Sequence, residues 1–281
     1  MKILILSNGR GGRERLSSDL PEPYLPVLNG PDGKPESMLG RLWRQLMTAD
    51  LLEETSVVTC SEHVGELRKQ LGANALIHIE PSARGSYPAT MLAAAHLYTV
   101  AGVTPNETII VLPIDFCVEG DFYHCVRSLP KLLRESESSI MMIGAKAVQP
   151  SARYDYIVPE QTDDSVEECG YDWKVRGYHA NVSESEAAKW IASGALWNSG
   201  VYAFRLDFLL NRISESGLPV HYDELCKQYS QLQTQSLEEA LIMDASIVKS
   251  CIRYDGPWDS LGSGQSSSLN RNMALTSNRS S

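Results

Sequence analysis

Short apolar runs alternate along the chain with stretches in which apolar residues recur every three or four positions. Runs of four to eight read as buried strands, and the 3.6-residue recurrence reads as helix. On this reading strands fall at Lys2–Leu6, Thr55–Cys60, Ala75–Ile79, Glu107–Leu112 and Ile140–Ala147. Helices fall around Ser37–Leu52, Glu62–Leu71, Thr90–Val100 and Phe122–Glu135. The β-α-β-α order predicts an α/β fold with a doubly wound, mostly parallel (mixed) sheet, and ligands in such sheets bind beyond the carboxyl ends of the strands.

From about residue 150 the strands become shorter and more polar, at Tyr154–Pro159, Lys174–His179 and Gly200–Phe204. A helix at Ser183–Ser193 interrupts them, with Ser183 as N-cap and Glu186 three residues on as its capping-box partner. The expected organisation is one domain over 1–264, with a first half (1–150) and a second half (151–264) on a shared sheet. Residues 265–281, rich in serine and asparagine, read as a flexible tail.

Composition narrows the function. The 281 residues carry 25 Lys plus Arg against 35 Asp plus Glu, a formal charge of −10, which disfavours a nucleic-acid partner. No stretch approaches the roughly 18 apolar residues of a membrane span, and the N-terminal apolar run is too short for a signal peptide. The six cysteines form no Cys-x-x-Cys pair and read as separate reduced thiols of a cytoplasmic protein.

The candidate chemistry begins after the first strand, at Asn8-Gly9-Arg10-Gly11-Gly12-Arg13. Glycines there let backbone N–H groups approach a phosphate, and an arginine can pair with it. The pattern is neither GxGxxG nor a P-loop, and alone it fits a solvent-exposed turn equally well. Further motifs follow in order: Pro21-Glu22-Pro23, Glu80-Pro81-Ser82-Ala83-Arg84-Gly85, Leu112-Pro113-Ile114-Asp115, Tyr154-Asp155-Tyr156-Ile157, Leu196-Trp197-Asn198-Ser199-Gly200 and Trp258-Asp259-Ser260-Leu261-Gly262-Ser263.

In this order and spacing, from about residue 2 to residue 263, the chain resembles the sugar-1-phosphate nucleotidyltransferases, most closely the mannose-1-phosphate guanylyltransferase branch. The resemblance implies a Rossmann-like (GT-A-like) domain that joins a nucleoside triphosphate, GTP-like, to a sugar 1-phosphate with Mg²⁺ and releases pyrophosphate. It assigns Asn8, Gly9, Gly11, Gly12, Arg13, Glu80 and Arg84 to the nucleotide, with Arg13 and Asp115 catalytic. Tyr156, Asn198 and Ser199 fall to the sugar phosphate, and Asp115 and Asp259 to the metal. A homodimer is also compatible with it, and neither membrane nor nucleic acid is an expected partner.

Departures from the family pattern qualify the activity. The family's Pro-Lys is Pro21-Glu22 here, and its Glu-Lys-Pro aligns with His179-Ala180-Asn181. Asp259 stands one position before the family's metal-binding aspartate, whose place holds Ser260, and Arg153 and Asp155 replace two glycines. These changes make a catalytically impaired homologue, binding a nucleotide or nucleotide sugar in a regulatory or scaffolding role, the alternative reading.

Overall fold

The computed structural model describes residues 1–7, 20–160, 169 and 172–260. The glycine loop at 8–19, and with it Asn8, Gly9, Gly11, Gly12 and Arg13, lies outside the described residues, as does the tail. The run Lys2–Leu6 forms strand β1, and its side chains alternate between two cores. Ile3 and Ile5 face one cluster and Leu4 and Leu6 the other, so the strand is covered on both sides.

The remaining strands are β2 (Leu28–Asn29), β3 (Pro35–Glu36), β4 (Thr55–Cys60), β5 (Leu76–Glu80), β6 (Thr108–Pro113) and β7 (Phe116–Val118). They continue as β8 (Ile140–Lys146), β9 (Tyr156–Pro159), β10 (Trp173–His179), β11 (Leu196–Arg205), β12 (Lys249–Tyr254) and β13 (Trp258–Ser260). The helices are α1 (Met38–Thr48), α2 (Val64–Leu71), α3 (Ser86–Thr99), α4 (Phe122–Glu135), α5 (Glu184–Ala192), α6 (Leu206–Glu215) and α7 (Tyr222–Gln228). No helix among the described residues is long and apolar enough to cross a membrane.

One nine-stranded sheet, in the order β5-β4-β1-β6-β11-β8-β12-β10-β9, carries strands from both halves of the chain. The N-terminal strands β5, β4, β1 and β6 are all parallel, as the βαβ rhythm requires. Beyond β6 the sheet turns mixed, as expected. β11 runs antiparallel to both β6 and β8, and β10 is antiparallel to β12 and β9, leaving β8–β12 as the parallel pair of that half. The sheet is therefore mixed.

That insertion of β11 builds the site. Tyr202–Arg205 pair with Val111–Thr108 of β6, whereas Leu196 and Trp197 pair with β8 and β9. At Gly200 the strand leaves β6, with φ +77° and a Cβ position 3.1 Å from Pro113 Cγ, so a side chain there would press on the proline. The carboxyl end of β6 is thus left uncovered.

Local signals explain most element ends. Ser37 caps α1 by accepting from Gly40 N–H at 2.9 Å, and Ser183 and Glu186 close a full capping box on α5. α3 starts at Ser86, earlier than its apolar pattern suggests, because Pro88 sits in the first turn, where a missing N–H costs nothing. The expectation of six separate thiols is corrected at one pair. Cys169 N–H donates to the Arg253 carbonyl of β12, which brings it against α4, and Cys125 and Cys169 form a disulfide with Cα atoms 5.0 Å apart.

His78 on β5 is buried, hydrogen-bonds Ser56 at 3.0 Å through Nε2, and meets the His96 ring edge-on at 4.7 Å. Burial, with a smaller contribution from His96, pushes its pKa down to about 3. The unfolded chain takes up a proton near pH 6.5 while the folded one does not, so His78 supports stability above that pH and removes it as pH falls towards 3. Urea unfolding should show a loss of about 2 kcal/mol from this residue between pH 7 and pH 5. His78→Gln should flatten that slope by about one proton; an unchanged slope would refute the assignment.

Candidate active site

Two clefts open at the carboxyl end of β6 and meet at Pro113, Asp115, Gly200 and Glu238. Their volumes, about 280 and 300 Å³, lie near the lower end of the range of small-molecule sites. The first is mainly apolar and includes Glu22, Pro23, Met38 and Ser86. The second is polar and includes Arg153, Tyr154, Asp155, Asn198 and Ser260.

Asp115 stands between β6 and β7, so it caps no helix. Burial pushes its pKa up, and a hydrogen bond from Ser260 Oγ at 3.1 Å pulls it partly back. β13 pairs antiparallel with β7, Asp259 opposite Cys117 and Ser260 opposite Phe116. Successive side chains on a strand point to opposite faces, and Ser260 is the one that faces the cleft.

Asp259 is thereby corrected as a metal ligand. Its carboxylate is buried on the other face, accepting from Tyr154 OH and from Ser260 N–H at 2.8 Å, with Arg153 Nη2 3.8 Å away. Among the described residues no cluster of three His, Cys, Asp or Glu side chains could enclose a metal. A single carboxylate with phosphate oxygens nevertheless suits Mg²⁺, which takes one or two protein carboxylates beside phosphates. Asp115 fits that ion; Asp259 does not.

Three further expected residues sit away from the clefts. Tyr156 is fully buried, and its phenol donates to Ser151 O at 2.9 Å while accepting from Ser151 N–H and Trp197 Nε1. Glu80 is buried and accepts from Tyr229 OH at 2.6 Å. Arg84 donates to the Ser230 carbonyl, and its own carbonyl accepts from Gln235 N–H at 3.0 Å. Tyr87 N–H donates to Gln235 O and Leu237 N–H to Ser86 Oγ, so the 84–87 turn clasps the segment that presents Glu238.

Gly85 makes that clasp possible. Its φ is +90°, and a Cβ would lie far inside van der Waals contact with the Gln235 carbonyl oxygen. Gly85→Ala should therefore cost about 2–3 kcal/mol of stability through strain and backbone displacement. A thermal-melt comparison checks this, and an unshifted Tm would refute the clasp.

Asn198 and Ser199 do reach the second cleft. Ser199 Oγ donates to Ile143 O at 2.6 Å. The Asn198 amide is shared among protein groups: Nδ2 donates to Tyr202 OH at 2.7 Å and Tyr178 OH at 3.2 Å, and Oδ1 accepts from Gly200 N–H. Each phenol passes its proton on, Tyr178 to Asp155 at 2.6 Å and Tyr202 to Glu238 at 2.8 Å. Burial and these carboxylates push both phenol pKa values far up, which keeps the phenols as donors.

Sequence patterns do not expose Tyr178, Tyr202 or Glu238, which lie in no motif; the turn at Glu238–Ile242 is π-helical, a form frequent at functional sites. Arg153 lines the second cleft, donates to Ser260 O at 3.2 Å and lies over the Tyr154 ring.

The fold is one shared with solved nucleotidyltransferases. The chain is similar in sequence to the alginate biosynthesis protein AlgA of Pseudomonas aeruginosa, 27% identical over 227 residues, covering 78% of this chain and 44% of AlgA. The chain spans about half the length of the curated relatives it matches. No protein-family model matches. Among solved structures, mannose-1-phosphate geranyltransferase from Thermus thermophilus superposes with a TM-score of 0.74 at 23% identity, over 93% of this chain and 76% of that one. The inositol-1-phosphate CTP transferase from T. maritima superposes at 0.59 and 13% identity, over 97% and 94%.

Proposed function

We propose that the chain is a cytoplasmic nucleotidyltransferase joining a nucleoside triphosphate to a sugar 1-phosphate, with GTP and mannose 1-phosphate as the pair its motifs favour. The observation that carries this reading is the meeting of an apolar cleft and a polar cleft at the buried carboxylate of Asp115, beyond the end of a parallel strand, with Glu238 also at the junction. The apolar cleft suits a base and ribose, and the polar one suits a sugar phosphate beside Arg153.

In the reaction a phosphate oxygen of the sugar 1-phosphate attacks the α-phosphorus in line. The new O–P bond forms as the bond to the β-phosphate oxygen breaks and pyrophosphate leaves. The protein's work is positioning and charge neutralisation rather than covalent chemistry. Mg²⁺ bound at Asp115 would supply positive charge beside the α-phosphoryl oxygens. Ser260 orients the Asp115 carboxylate, and Arg153 supplies a fixed cation to the sugar-phosphate side. By resemblance the glycine loop and Arg13 hold the nucleotide phosphates, and residues 1–264 work as one unit.

Incubation with Mg²⁺ and a panel of nucleoside triphosphates and hexose 1-phosphates should release pyrophosphate for at least one pair; none for any pair would reject the activity. The position of Glu22 in the apolar cleft favours one second reading, a homologue that binds without turning over. That reading predicts thermal stabilisation by nucleotide with no pyrophosphate.

A further inference from the structure

The network beneath the second cleft has no role in the transfer chemistry, yet it holds two carboxylates in fixed positions. Asp155 Oδ2 accepts from Tyr178, and Glu238 Oε1 accepts from Tyr202. Both phenols receive a hydrogen bond from the same Asn198 amide, and the backbone N–H of Asn198 donates to the Asp155 carbonyl at 2.8 Å. With Oδ1 of Asn198 taken by Gly200 N–H, the amide has one orientation and no hydrogen left for a ligand. Among the described residues, Asp155 Oδ1 and Glu238 Oε2 have no hydrogen-bond partner, and both residues line the cleft.

An unpartnered carboxylate oxygen on a cleft wall accepts hydrogen bonds and repels phosphate. The cleft therefore presents two kinds of group: the Arg153 cation, which suits a phosphate, and the Asp155 and Glu238 carboxylates, which suit neutral donors. Ring hydroxyls of a sugar are such donors, and hydrogen bonds to charged acceptors are about twice as strong as neutral ones.

We propose that Asp155 and Glu238 are specificity-determining residues that accept hydrogen bonds from ring hydroxyls of the bound sugar, and that Asn198 is a positioning residue acting through Tyr178 and Tyr202. This rests on the reading of the second cleft as the sugar side. It makes Asp155, where the family pattern has glycine, a contact particular to this chain.

The test is calorimetric binding to the full chain with Mg²⁺. The probes are mannose, glucose and galactose 1-phosphates and the monodeoxy analogues of whichever binds best. Glu238→Gln and Asp155→Asn should each weaken the parent sugar phosphate about tenfold, and Asp155→Asn should leave nucleoside triphosphate affinity within twofold. One monodeoxy analogue should lose the same tenfold on the unaltered protein and lose nothing further on Glu238→Gln. A different monodeoxy analogue should behave that way for Asp155→Asn. Tyr202→Phe, which leaves Glu238 unanchored, should show the Glu238 analogue pattern in weaker form.

A merely structural role would weaken every analogue equally, and that result overturns the proposal. So does an unaltered protein that binds none of the three hexose 1-phosphates, or one that binds a 2-amino-2-deoxyhexose 1-phosphate more tightly than all of them. If the analogue pattern appears but no pyrophosphate is released with any triphosphate, the proposed transfer fails and the hydroxyl recognition stands.

Discussion

Asp115→Asn is expected to lower the rate of pyrophosphate release by about 10³-fold, close to 4 kcal/mol, without lowering the stability of the fold. Asp115 lines both clefts at the end of β6, and the strand alternation of β13 has turned Asp259 away from them. Mg²⁺ held through Asp115 would lose that carboxylate in the variant. Stability should move the other way. Burial pushes the Asp115 pKa up, so at neutral pH its charged form is a cost carried by the folded state. Asparagine removes that cost and keeps a carbonyl oxygen to accept from Ser260 Oγ, so Tm should hold or rise by about 2–4 °C. A variant that retains a tenth of the activity, or that melts well below the parent protein, would remove Asp115 from its central role.

The sequence pattern reaches the first half of the sheet more surely than the second, and the reason is physical. β1 and β6 are covered on both faces and read as nearly continuous apolar runs, and β4 is buried along its whole length with only short hydroxyl side chains among its apolar ones. β12 is as deeply buried, but its run Lys249-Ser250-Cys251-Ile252-Arg253-Tyr254 hides the fact. Lys249 Nζ is satisfied by the Ile247 and Asp244 carbonyls, and Ser250 Oγ hydrogen-bonds Ser138. β11 begins at Leu196, because the bulged Asn198–Gly200 stretch belongs to the strand that forms the floor between the clefts.

Among the site residues, Asp115, Asn198 and Ser199 are legible because the motifs that carry them end or begin strands at the switch point. Tyr156 and Glu80 sit in equally good motifs, yet their side chains serve the core, a distinction that depends on facing direction and partners rather than on residue type. Glu238 comes to the cleft only through the clasp around Gly85, a contact spanning some 150 residues that no local pattern encodes.

Glu22→Lys should tighten the binding of GTP with Mg²⁺ by about 10²-fold or more. Glu22 opens the short 3₁₀ turn Glu22–Tyr24, and Tyr24 is pinned beneath it. The buried Tyr24 hydroxyl hydrogen-bonds Thr59 at 3.2 Å, and its carbonyl accepts from Gln70 Nε2 at 2.9 Å. The turn is thus fixed, and Glu22 lines the apolar cleft. Two unit charges about 5 Å apart at an effective dielectric near 20 interact by roughly 3 kcal/mol, and reversing one sign doubles the difference. Solvent screening at the cleft mouth reduces that upper figure, which is why the expected gain is nearer two powers of ten. Glu22→Gln, which removes the repulsion without adding an attraction, should give about half the effect on a logarithmic scale, and both gains should shrink as salt approaches 1 M. Turnover gained along with binding would mean that the acidic substitution alone holds the chain below the rate of its relatives. Weaker GTP binding by Glu22→Lys would show that Glu22 faces a donor on the ligand, and that the polyphosphate lies elsewhere.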